Sequence, residues 1–212
     1  MLSLSLHSSS QSVSIALYQN NKLSKFLEKK IIDNKIDDIF LLVKKIFERK
    51  SINIDFIYFS TGPGSYTAQR SIKAVAQGIS MITKSKIKTV NEFDTYLSNI
   101  EKINRNVIVF FKANNNNFFF RFYSLIGNIY KSYKNYESRS FVDTYKYINK
   151  KKEEIANLIV VSNSKENMSK LVGFKNNEVF FFKTSAKDIV KAIFLGYGKT
   201  TQKISYHHTY YE

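Results

Sequence analysis

A chain of 212 residues with 43% hydrophobic and 24% charged side chains can bury a real core as one large domain or two small ones, which excludes a disordered chain. Cysteine is absent, which removes disulfides, thiolate metal sites and cysteine nucleophiles together. No window reaches about 18 apolar residues, which argues against a membrane span. Lysine and arginine number 33 against 17 aspartate and glutamate, and the resulting +16 suits the phosphates of nucleic acid. The same lysine richness, beside abundant Asn, Ile, Phe and Tyr, equally follows from AT-biased coding.

Residues 2–7 alternate leucine with serine and carry no basic leader, so they read as a strand rather than a signal peptide. A cytoplasmic protein is the expectation. Strands at 13–18 and 23–28 flank Asn20-Asn21, a hairpin turn. Residues 36–47 place Ile36, Ile39, Phe40, Val43, Ile46 and Phe47 at helical spacing, with Asp33 or Asn34 available as cap. A buried strand at 54–59 runs into a glycine turn and a helix over 65–83. A strand at 87–90 and a helix from Asn91 close this half.

The second half repeats the order. Strands are expected at 107–111, 118–124 and 129–136, then a helix at 143–152, a strand at 158–161, a helix at 166–171, a strand at 179–182 and a helix at 186–195. Strand, polar loop, strand, turn, strand, helix therefore occurs twice, from residue 2 and again from residue 107. This implies two similar α/β lobes, each a mixed sheet flanked by helices. The boundary is expected between Ser98 and Arg105, giving an N-terminal lobe of 1–100 and a smaller or degenerate lobe of 101–212.

The most specific run is Ser60-Thr61-Gly62-Pro63-Gly64-Ser65-Tyr66-Thr67-Ala68-Gln69-Arg70. Glycine on both sides of proline makes a preset turn, and the following Ser65 or Thr67 can cap a helix whose free amides would hold an anion. It is not a Walker loop, because no Gly-Lys-Ser/Thr follows, and a purely structural strand-to-helix connector explains it as well. Small residues at Ala68, Ala74, Ala76 and Gly78 would let another helix approach closely.

This segment resembles the glycine-proline-glycine-serine-aromatic-threonine-glycine-x-arginine signature of the TsaB (YeaZ) family. Gly62, Pro63, Gly64, Ser65, Thr67 and Arg70 match, Tyr66 stands for the usual Phe, and Ala68 replaces a glycine. Leu6-His7-Ser8-Ser9-Ser10 with Ser14-Ile15-Ala16-Leu17 is similar to that family's Leu-Asp-Thr-Ser-Thr…Ser-Val-Ala-Leu. The likeness is specific over residues 1–90. It implies a two-lobed ribonuclease-H-like (actin-like ATPase) fold. It also implies a non-catalytic subunit that pairs with a TsaD-like catalytic subunit and works with a TsaE-like ATPase. In that family the complex places a threonylcarbamoyl group on the adenosine beside the anticodon of tRNA, which the subunit would meet indirectly; pairing with a second copy is an alternative.

Two departures stand out. His7 replaces the aspartate that handles magnesium and phosphate in active actin-like ATPases, and Lys112, before Ala113, replaces its counterpart in the second half. Neither can chelate Mg²⁺ as a carboxylate does, so ATP hydrolysis is not expected. No catalytic, cofactor-binding or metal-binding residue is assigned, and no cofactor is expected. His207-His208 lacks a third ligand. Asp37-Asp38 do not share a helix face, and Glu153-Glu154 fall in a charged stretch. Tyr130-Lys131-Ser132-Tyr133-Lys134-Asn135-Tyr136 is either an RNA-stacking strip or an edge strand.

The resemblance places the pairing surface on the first two helices, here about 36–47 and 65–82. The Gly62, Pro63, Gly64, Ser65 turn and Arg70 would shape it, with Ile39, Val43, Ile72 and Val75 as packing candidates, some of which must instead face the lobe's own sheet. A degenerate metallopeptidase-like or ATPase enzyme and a free-standing RNA-binding protein are the competing expectations.

Overall fold

The structure, a computed structural model, describes residues 1–9, 12–30, 37–47, 53–100, 105–113, 117–132, 134–155, 157–163, 165 and 170–202. The chain forms two compact units. One comprises Met1–Thr95 together with the chain from Thr184 onward, the other Tyr96–Lys183. The expected second lobe of 101–212 therefore ends at Lys183, because the last helix carries the apolar face that covers the first sheet.

The first sheet contains β1 (Leu2–Ser8), β2 (Ser12–Gln19), β3 (Lys22–Lys30), β4 (Phe56–Ser60) and β5 (Lys86–Val90), in the order β3-β2-β1-β4-β5. β1, β2 and β3 pair antiparallel, while β4 lies parallel to β1 and β5 parallel to β4. Asn20 and Asn21 turn the β2–β3 hairpin at φ 49° and 64°, a left-handed pair that asparagine tolerates better than most residues. The outer strand β3 is studded with Lys22, Lys25, Lys29 and Lys30, charges that blunt an open edge.

One face of this sheet packs against α1 (Asp37–Phe47) and α2 (Tyr66–Thr83). Leu4, Leu6, Ile15, Ile57 and Phe59 from the strands meet Ile39, Leu42, Ile46, Ile72 and Val75 there. The opposite face carries the small residues Ser3, Ser5, Ser14 and Ala16, all buried, with α5 (Ala186–Ala192) packed on β1, β2 and β4. The leucine–serine alternation of β1 suggests one wet face; the serines instead let a helix approach closely. Ser14 Oγ accepts the Ala186 amide at 2.9 Å, while Ser5 Oγ has no hydrogen-bond partner among the described residues. After α5 a π-helical turn (Ile193–Tyr197) bends at Gly196, φ 94°, and Lys199 bridges to Thr89 on β5.

The second unit holds β6 (Asn106–Lys112), β7 (Asn117–Ile126), β8 (Ile129–Lys131), β9 (Glu137–Ser140), β10 (Leu158–Ser162) and β11 (Val179–Phe181). Their order is β11-β10-β6-β7-β8, with β9 also on β7. β6 is antiparallel to β7 and parallel to β10, which is parallel to β11. A first strand thus has its hairpin on one side and parallel strands on the other, as in the first unit. α4 (Phe141–Glu154), capped by Ser140, packs on β7 and β9, and its Ile148 joins Ile108, Phe110, Phe118, Phe120 and Val160 in an aromatic-rich core. This is the ribonuclease-H-like topology, twice.

Several expected elements shift. The strand over 129–136 is only β8, followed after a break by β9. The helix over 186–195 stops at Ala192, where the π-helical turn begins. The expected helix over 166–171 lies mostly outside the described residues, as do Asp33, Asn34 and Ile36, and Leu171 is not helical.

Candidate functional site

Candidate chemistry in the first unit gathers at two places, the glycine turn with the helices beside it and the closed end of β1. At the turn, Gly62 adopts φ 87°, a left-handed conformation that costs other residues strain, and the Gly62–Pro63 peptide is cis. Its amide donates to Ser60 Oγ at 3.2 Å, and its carbonyl accepts the Glu92 amide at 2.8 Å. The turn is thereby tied to α3 (Glu92–Leu97). Gly64 is small for a different reason: a Cβ there would stand 3.2 Å from Gln69 Nε2. Ser65 caps α2, its Oγ accepting from the Ala68 amide at 3.5 Å. Gly62 and Pro63 are buried, and Gly64 and Ser65 are exposed. The exposed Arg70 lies over the Tyr66 ring, 4.7 Å from its centre.

The expected packing candidates need correction. Ile39, Ile72 and Val75 are buried in the unit's own core, and Val43 is half-buried against it. Regular apolar spacing on a helix marks the face that the sheet covers, so those side chains are already spent on folding. The available surface is the remainder. On α1, Phe40 and Leu41 are 55% and 50% exposed; on α2, Met81 and Ile82 are 83% and 84% exposed. Tyr66, Arg70, Ala74, Gly78 and Ile82 follow at four-residue spacing and are all exposed, forming a ridge that winds round the outer side of α2. A Cβ on Gly78 would meet nothing within 4 Å. Sequence reasoning saw Ala74 and Gly78 but missed Met81 and Ile82; carrying the same spacing one turn further would have found Ile82.

At the end of β1 the side chain of His7 is fully buried, and its Nε2 lies 3.1 Å from Glu92 Oε1. Thr184, just before α5, donates to the same carboxylate oxygen at 3.0 Å and stands 3.4 Å from His7 Nε2. Burial alone would push His7 down, but the charge and hydrogen bond of Glu92 outweigh it and hold the imidazole above its ordinary value of 6.5. Burial likewise acts to raise Glu92, and His7, with hydrogen bonds from Ser60 and Thr184, draws it below its ordinary 4.5. Both shifts run in the direction that favours the charged forms of the pair. Glu92 was not foreseen: one acid in the first turn of a helix reads as a solvated residue favoured by the helix dipole. With no exposed surface, His7 is placed to hold an ion pair rather than to exchange protons with a substrate.

The other sequence candidates separate. Lys112 ends β6 and is exposed, and among the described residues no group of three or more His, Asp or Glu side chains could hold a metal ion. Asp38 is buried and pairs with Lys29 at 2.6 Å; Glu154 pairs with Lys151 on the surface of α4. Tyr130 is buried and Tyr136 meets Phe119 edge-on at 5.6 Å, so these two rings serve packing rather than an open strip. Tyr133 and His207-His208 lie outside the described residues. Among the described residues no helix is long and apolar enough to cross a membrane.

Solved structures with this architecture exist. A Pseudomonas aeruginosa protein described as similar to peptidase YeaZ superposes with a TM-score of 0.65 at 14% identity, over 94% of both chains. YeaZ from Pseudomonas aeruginosa gives 0.64 at 15% identity over 91% of both chains. The ethanolamine utilization protein EutJ from Carboxydothermus hydrogenoformans gives 0.54 at 10% identity, covering 92% of this chain and 89% of that one. No protein-family model matches the sequence, and no curated protein matches it either. The class is thus defined by fold: a ribonuclease-H-like, actin-like ATPase architecture. Within that class the chain is YeaZ-like in structure over nearly its whole length.

Proposed function

We propose that this chain is a non-catalytic accessory subunit, pairing through the exposed faces of α1 and α2 with a TsaD-like catalytic subunit of a tRNA threonylcarbamoyladenosine-forming complex that also uses a TsaE-like ATPase. The observation that carries the reading is the display of Met81 and Ile82, both more than four-fifths exposed, on a helix whose other face is fully used by the core. Exposed apolar side chains are candidates for an interaction surface, and Phe40 and Leu41 on α1 are also half-exposed. Ala74 and Gly78 leave room for another helix to come close. The exposed Gly64, Ser65 and Arg70 lie at the N-terminal end of α2, and the Ser65 cap fixes where the helix begins, behind the buried Gly62-Pro63. The signature run supports the family reading, and the YeaZ-like fold agrees with it. The charge of +16 suits a complex that handles tRNA.

The test is reconstitution. Chain, TsaD-like subunit and TsaE-like ATPase from one source are mixed with unmodified tRNA, and threonylcarbamoyladenosine is measured by mass spectrometry. Product should form only when this chain is present. Product formed at the same rate without it would remove the proposal.

A further inference from the structure

The buried polar cluster under α5 is the feature that folding leaves least explained. His7 sits on β1, Glu92 opens α3, and Thr184 is the first residue of the segment that returns to the first unit. An apolar trio would cost less to bury than a charged pair, so this cluster exacts a desolvation cost that simple packing would avoid. What it joins is specific. α5 is only seven residues long, too short to hold itself together in water, and it depends on its attachments. Those are the apolar side chains of Ile189, Val190 and Ala192 against Tyr58 and Val90, the Ala186–Ser14 bond, and the Thr184–Glu92 bond. Glu92 is in turn fixed by His7.

We propose that His7, Glu92 and Thr184 form a charge-operated latch: it holds the returning segment Thr184–Tyr197 onto the first sheet while His7 and Glu92 are both charged, and it lets go when either is neutralised. The groups that face His7 set its sign. Glu92 comes from α3, Asp188 from α5 and Glu28 from β3, all acids that favour the imidazolium. β2 supplies Ser14, the cross-strand neighbour of His7, and β4 supplies Ser60 to Glu92. α2 buries Gln69, Ile72, Val75 and Ala76, none of them charged. His7 Nδ1 is buried without a partner among the described residues, so little besides Glu92 retains the proton once that carboxylate is gone. Loss of the proton leaves neutral His7 donating to Glu92 through Nε2–H but removes the cation that offset the carboxylate, so the bond to Thr184 then involves an uncompensated buried charge.

The experiment is amide hydrogen exchange on the intact chain, comparing α5 with β4 across pH, each rate corrected for intrinsic exchange. As pH climbs above about 6.5 and through the folded value of His7, α5 protection should fall roughly tenfold or more, while β4 stays protected. In His7→Gln, α5 should be weakly protected and flat with pH. Thr184→Val keeps both charges and serves if His7→Gln does not fold. It should lower α5 protection at every pH and reduce its dependence on pH, because the bond that transmits the charge is gone. α5 exchanging in step with β4 at all pH values would overturn the latch, as would a Thr184→Val chain with parental α5 protection.

Discussion

Glu92 and His7 meet at 3.1 Å inside the first unit, and each has a different pH at which it fails. His7 is raised on folding, so its contribution is fully present below about 6.5 and is lost as pH climbs through the folded value. Glu92 is lowered on folding, so its contribution is present above about 4.5 and is lost as pH falls through the folded value. Stability should therefore be greatest between these limits and decline on both sides. Glu92→Gln should cost about 3–5 kcal/mol in urea unfolding at mildly acidic pH and should flatten the alkaline decline. The two glycines of the turn separate in the same way. Gly62→Ala meets a left-handed backbone and should cost about 1–2 kcal/mol. Gly64→Ala only has to displace the end of the Gln69 side chain and should cost less than about 1 kcal/mol. Equal costs at the two positions in thermal unfolding would contradict this reading of the turn.

At the scale of the element, α2 states both what the sequence reveals and what it hides. Its start was legible, because serine after a Gly-Pro-Gly turn is a cap by chemistry alone, and Ser65 does cap it. Its buried face was legible too, since Ile72, Val75 and Ala76 recur at helical spacing. That same regularity misled the choice of partner residues, because the periodic stripe belongs to the core. The difference is measurable. Ile72→Ala should destabilise the chain by about 2–5 kcal/mol, whereas Ile82→Ala should lie within about 0.5 kcal/mol of the parent. The serine face of β1 was hidden for a related reason: serine is the residue of wet strands and also of close helix approach. Sequence alternation cannot say which until α5 is found lying on it.

At the scale of the molecule, the repeated order of strands was readable because hairpins and helices have local signals, and the two sheets share one topology. The return of the chain at Thr184 was not readable. Nothing local distinguishes a helix that closes its own sheet from one that covers a sheet formed 170 residues earlier, since the bonds concerned, Ala186 to Ser14 and Thr184 to Glu92, span 172 and 92 positions. The His7–Glu92 pair was hidden by the same distance in sequence. The resemblance in the first ninety residues pointed to the fold, and superposition over 94% of a YeaZ-like chain agrees with it. The pairing proposed for this chain rests on the exposed residues of α1 and α2. The most direct measurement is titration calorimetry of the chain against a TsaD-like subunit, comparing the parent with Ile82→Asp and Arg70→Glu. The account predicts a complex that Ile82→Asp weakens by about tenfold or more with the unfolding midpoint unchanged, and that Arg70→Glu also weakens. A complex of parental strength in both variants, or no complex with the parent chain, would contradict it.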